Sequence, residues 1–140
     1  MNLATFTGQV VEFSASASGN ATPTRTIPLT GIPFGVAVDG SGQVYVSSDT
    51  LQTNVLAQVL AFGVSSSTPV RTFTFTGNNT IVAGLQVDAA GNIYTLAQMS
   101  GTTSTFAIDK ITSSQSGTGT PAAQMTSTVL SNPATFLSIR

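Results

Sequence analysis

Gly35-Val36-Ala37-Val38-Asp39-Gly40-Ser41-Gly42-Gln43-Val44-Tyr45-Val46 is repeated 49 residues later as Gly84-Leu85-Gln86-Val87-Asp88-Ala89-Ala90-Gly91-Asn92-Ile93-Tyr94-Thr95. The first part alternates apolar and small residues, which suits a strand. Asp39-Gly40-Ser41-Gly42 is a turn: the Asp carboxylate can bond backbone two residues on, and Gly supplies a positive φ. Val44-Tyr45-Val46 is rich in β-formers and returns antiparallel. A strand, a turn and a returning strand thus recur at a fixed spacing.

The same period extends outward. Gln9-Val10-Val11-Glu12-Phe13 falls on Gln58-Val59-Leu60-Ala61-Phe62 and then on Ala107-Ile108-Asp109-Lys110-Ile111, so Phe13, Phe62 and Ile111 are equivalent. A further element recurs with small shifts: Thr22-Pro23-Thr24-Arg25, Thr68-Pro69-Val70-Arg71 and the worn copy Thr120-Pro121-Ala122-Ala123. Within one repeat the pattern predicts strands over 35–38, 44–46, 55–62 and 71–75, with Ser47–Thr53 as a loop and Gly63–Ser67 as a turn. No stretch has helical periodicity. Four short antiparallel strands at a period of this size are the pattern of propeller blades.

The Gly-Val-Ala-Val-Asp-x-x-Gly-x-Val-Tyr-Val stretch resembles the signature of NHL-type β-propeller repeats, and Gly84–Tyr94 resembles it too. With the Thr-Pro-x-Arg element added, the chain is similar to the longer repeats of bacterial surface and secreted proteins in that superfamily. The resemblance implies an all-β, β-propeller-like array of four-stranded antiparallel blades. The expected organisation is a partial blade over 1–31, blades over 32–80 and 81–130, and the first strand of a further blade over 131–140. Strands at Ala4–Phe13 and Thr135–Ile139 would open and close this array. A closed propeller has at least four blades, so the array is incomplete in one chain. Joining of copies into a ring or filament, or excision from a larger protein, would account for that. Related lactonase-like and lyase-like enzymes carry metal-binding carboxylates or histidines around the channel, and no position here matches them.

Charged residues make up 6% of the 140-residue chain, with four cations, Arg25, Arg71, Lys110 and Arg140, spread along it. Nucleic-acid binding needs clustered Lys and Arg, so that partner is not expected. No apolar run reaches the ~18 residues of a membrane span. The first residues, Met1-Asn2-Leu3-Ala4, lack the basic and apolar regions of a signal peptide. Absence of cysteine excludes a disulfide framework and thiolate chemistry. Asn20-Ala21-Thr22 and Asn78-Asn79-Thr80 are sequons, making Asn20 and Asn78 candidate glycosylation sites. Low charge with abundant Ser and Thr points to an extracellular or cell-surface setting.

Histidine is absent, which removes the commonest general base and metal ligand. Asp39 and Asp88 occupy equivalent turns, where a turn-stabilising role is expected over a calcium site, because one carboxylate does not make a cation cage. Tyr45 and Tyr94, and likewise Phe13 and Phe62, are expected to pack between blades. Arg25 and Arg71 are expected to bond neighbouring backbone or Asp. No catalytic, cofactor-binding or metal residue is assigned. The expected function is a non-catalytic structural protein that self-associates through uncharged strand edges, its partners being copies of itself. A carbohydrate- or protein-binding module using Ser47–Asn54 and Met99–Ser104, with glycans as partners, and a fragment of a larger propeller protein are the alternatives.

Overall fold

The computed structural model describes residues 7–50, 56–76, 79–99 and 105–126. Eleven strands lie within them: β1 (Thr7–Glu12), β2 (Arg25–Thr30), β3 (Ile32–Val38), β4 (Val44–Thr50), β5 (Leu56–Phe62), β6 (Pro69–Phe75), β7 (Asn79–Val87), β8 (Ile93–Met99), β9 (Thr105–Ile111), β10 (Gly117–Gly119) and β11 (Ala123–Thr126). No helix occurs among the described residues. The first sheet is the antiparallel pair β1-β2. The second runs β3-β4-β5-β6 in sequence order, with β10 added beside β6, and the third runs β7-β8-β9-β11. All pairings are antiparallel except β10 on β6. The described strands close into neither a barrel nor a propeller.

Two apolar layers hold the three sheets face to face. Between the first and second, Ile27 and Leu29 of β2 meet Val44, Val46 and Phe62. Between the second and third, Tyr45, Val59, Phe73 and Phe75 meet Val82, Leu85, Ile93 and Ile111. Strand alternation explains this: Val44 and Val46 point to one face of β4 and Tyr45 to the other. Phe73 and Phe75 sit edge to face with centroids 5.1 Å apart, worth about 0.5–1.5 kcal/mol beyond the area they bury. A fourth-strand residue thus shares an apolar layer with a third-strand residue of the next sheet twice over, Ile27 with Phe62 and Phe73 with Ile111.

Several strand limits depart from the sequence reading. Ser47, Ser48 and Asp49 do not begin a loop; β4 continues through Thr50, pairing Ser47 with Val59, Ser48 with Gln58 and Asp49 with Ala57. The polar run suggested a loop because the sequence pattern does not register the β5 backbone beside it. The equivalent residues of β8, Leu96-Ala97-Gln98, are more apolar. β10 was not anticipated. It arises because the connection from Ile111 to Pro121 is three residues longer than that from Phe62 to Pro69. The extra length lets Gly117–Gly119 pair in parallel with Phe73–Phe75, while Thr76 N donates to Gly119 O. The strand expected at Thr135–Ile139 lies outside the described residues.

Candidate functional site

Each conserved-spacing Asp closes a hairpin. Asp39 N donates to Gln43 O and Gly42 N to Asp39 O, leaving a three-residue loop that ends in Gly42 at φ 84°. That left-handed position is the one a hairpin of this length requires. Asp39 Oδ1 accepts from Ser41 N (2.9 Å), Ser41 Oγ (2.7 Å) and Gln43 N (3.0 Å), and Oδ2 accepts from the Tyr45 hydroxyl (3.0 Å). In the next repeat, Asp88 Oδ1 accepts from Ala90 N and Asn92 N, both at 2.9 Å. Its Oδ2 accepts from Asn92 Nδ2 (2.8 Å) and the Tyr94 hydroxyl (3.2 Å).

These bonds set the electrostatics. For Asp39, burial works upward, but the bonds from Ser41, Gln43 and Tyr45 outweigh it and hold the carboxyl below its ordinary value. For Asp88, the Asn92 amide is the main cause of a downward shift. The Tyr45 hydroxyl is pushed up, first by burial and then by its bond to Asp39. Both carboxylates are ionised at neutral pH, with both oxygens engaged by their own hairpins.

The two hairpins flank a cleft of about 860 Å³ between the second and third sheets, lined by Asp39, Tyr45, Arg71, Asp88 and Ser113 among others. Arg71 lies over the Tyr45 ring with its guanidinium carbon 5.8 Å from the centroid. It also donates to the carbonyls of Thr112 (3.3 Å) and Ser113 in the β9–β11 connection. Arg25 does the equivalent one sheet earlier, donating to Gly63 O (2.8 Å), Val64 O (2.9 Å) and Ser66 O. The turns that receive them share one backbone bond at period 49: Ser66 N to Gly63 O and Gln115 N to Thr112 O. The first sheet has the same turn, Ala17 N to Ser14 O (2.9 Å).

In the third sheet the arginine position is Ala123, and its cross-strand neighbour is Lys110, whereas in the second sheet Arg71 faces Ala61. The cation has changed strands. Lys110 Nζ lies 5.5 Å from the Tyr94 ring centroid, as Arg71 lies over Tyr45.

A second, apolar groove of about 430 Å³ is bounded by Val10, Ile27, Val36, Val38 and Val64. Val36 and Val38 are 56% and 59% exposed, while Leu85, the equivalent of Val36, is 4% exposed beneath the second sheet. Val11 and Phe13, at the rim of this groove, are 39% and 47% exposed, and Met125 on β11 is 61% exposed. Phe62 and Ile111, the period equivalents of Phe13, and Phe73, that of Met125, are buried.

Asp49 went unrecognised from sequence. It is 1% exposed, and among the described residues neither carboxylate oxygen has a hydrogen-bond partner; Ser47 Oγ and Ser48 Oγ are likewise buried without one. Burial pushes the Asp49 carboxyl up to about 6. Its counterpart in the next repeat is Gln98, so no periodic signal marked it. Among the described residues no group of three or more His, Cys, Asp or Glu side chains could hold a metal. Asn20 is exposed in the segment before β2, while Asn78, residues 51–54 and residues 100–104 lie outside the described residues.

No protein-family model matches the chain, and neither the curated proteins nor the solved structures give a match.

Proposed function

We propose that the chain is a non-catalytic structural repeat protein of an extracellular or cell-surface setting, which self-associates through its sheet edges and faces. In this reading the three sheets are consecutive blades of a propeller-like array related to NHL-type repeats, continued from one copy to the next. The observation that carries it is Phe13, 47% exposed, against Phe62 and Ile111, buried at the same repeat position. A residue chosen for burial at a 49-residue period is left open at the edge of the array, as is Met125. Exposed apolar residues at interior-type positions mark association surfaces. The low charge of the chain favours association over dispersal as well.

The repeated hairpin carboxylates favour the non-catalytic reading. Asp39 and Asp88 are ionised and spend their oxygens on their own turns, so neither is placed to exchange a proton. A binding module is the second reading, favoured by the polar cleft between the Asp39 and Asp88 hairpins; retention on a glycan array would support it.

The deciding experiment is the mass of the purified chain in solution over a hundredfold range of concentration, by light scattering, with electron microscopy of the same samples. Rings, filaments or discrete oligomers are expected. A monomer throughout the range overturns the assembly reading.

A further inference from the structure

We infer that the outward face of the third sheet docks on the outward face of the first sheet of a second copy, repeating between chains the stacking found twice within one chain. The inference rests on the self-association reading and specifies its interface. Within the chain, a fourth-strand apolar residue joins a third-strand apolar residue of the following sheet in one apolar layer: Ile27 with Phe62, then Phe73 with Ile111. The next term of the series begins at Met125, in the position of Phe73, and its partner would be a third-strand residue of a fourth sheet. Phe13 is the third-strand residue that has no preceding sheet on it. Met125 and Phe13 are 61% and 47% exposed, and the four residues that obey the rule internally are buried.

A polar device repeats in step with the apolar one. Arg25 and Arg71 each leave their own sheet to bind carbonyls of the turn between the third and fourth strands of the next. The first sheet offers an equivalent turn, Ser14–Ala17, exposed and with the same internal bond. The third sheet supplies a cation at the matching place, Lys110, across from Ala123. Docking Met125 on Phe13 brings Lys110 of one copy to the Ser14–Ala17 carbonyls of the next. The docking site is the β9–β11 side of the third sheet, because Leu96 and Phe106 further in on that face are already buried.

The two surfaces differ, so the contact is heterologous and each copy keeps one donor and one acceptor face. That gives a decisive test. Phe13→Asp spoils the acceptor and Met125→Asp the donor, and both positions are exposed, so folding is preserved; circular dichroism checks this. Each variant alone is expected to lose assembly. An equimolar mixture is expected to form a one-to-one dimer and stop there, because one sound face of each kind remains. If the unaltered chain assembles but either variant alone still does, or the mixture stays monomeric, the docking inference is overturned and the broader reading stands. If the unaltered chain is monomeric at every concentration, both fall. Since the chain has no cysteine, Phe13→Cys and Met125→Cys copies carrying different tags give a second reading: oxidation is expected to join unlike tags. Disulfides only between like tags would overturn the heterologous arrangement.

Discussion

The Arg71 guanidinium on β6 donates to the carbonyl oxygen of Ser113, a residue of the next sheet. Arg25 makes the same reach from β2 to Gly63, so each arginine ties a fourth strand to the turn of its neighbour. Charge-assisted bonds of this kind contribute about 1.5–3 kcal/mol, and their loss leaves the carbonyls unpaired. Arg71→Ala is therefore expected to destabilise the chain by about 2–3 kcal/mol in urea unfolding. Both bonds come from the one nitrogen Nη1, so Arg71→Lys keeps the charge and a donor but loses the guanidinium's contact with the Tyr45 ring, and an intermediate loss is expected. Equal stability of Arg71→Ala and the unaltered chain would show that the bonds only replace solvation.

The Asp39 and Asp88 carboxyls are both held below their ordinary value when folded. A depressed carboxylate stabilises the fold above its unfolded pKa, and that stability is lost as pH falls through the folded value. The window is thus below about pH 4, given an unfolded Asp near 3.9. Unfolding measured from pH 7 to pH 2 should show a fall on the acid side. Asp39→Asn with Asp88→Asn should lower stability at pH 7 and flatten that fall. An unchanged acid limb in the double variant would remove these two groups from the account.

Sheet content and the repeat were legible because the hairpin signal is local. Asp39, Gly42 and Tyr45 act within seven residues, and the hairpin's hydrogen bonds follow directly from their spacing. The edges of the strands were not. Ser47–Asp49 are polar and become strand only through β5 alongside, a contact that no local pattern encodes. Arg25 and Arg71 were legible as repeated residues, but their acceptors lie about 40 positions away in the next sheet. The swap of cation from strand to strand at Lys110 and Ala123 is visible only once the cross-strand register is known. The buried carboxylate of Asp49 breaks the usual rule that buried charge is paired, so nothing in the sequence pointed to it.

Gly31, between β2 and β3, adopts φ 124°, in the region L side chains rarely enter. A Cβ built there would lie 2.6 Å from the Asp49 carbonyl oxygen and 2.9 Å from Ser48 Oγ. Backbone cannot yield as a flexible side chain can. Gly31→Ala is expected to cost about 2–3 kcal/mol, combining a strained φ with a clash. Gly40 has nothing within 4 Å of a built Cβ and no positive φ, so Gly40→Ala should change stability little. Thermal unfolding of the pair separates the effect of Gly31 from a general loss on replacing glycine.

Asp49 sits against that same point of the backbone and titrates in the opposite sense to Asp39. Burial raises its folded pKa to about 6, above the unfolded value near 3.9. The folded state then holds the proton more tightly than the unfolded chain does. The contribution of Asp49 is therefore most favourable below about pH 4, declines as pH rises toward 6, and stays reduced above it, opposite in sense to that of Asp39 and Asp88. At neutral pH the chain carries a buried carboxylate with neither oxygen hydrogen-bonded among the described residues, at a cost of at most about 3 kcal/mol by the size of the shift. Asp49→Asn removes the charge at nearly constant volume. It is expected to stabilise the chain by ~2 kcal/mol at pH 7.5 and by almost nothing at pH 4, the difference following from the same linkage. Urea unfolding of both proteins at the two pH values checks it. A gain of equal size at both would mean that the charge is not the cause, and a loss at pH 7.5 would mean that the carboxylate is paired in solution.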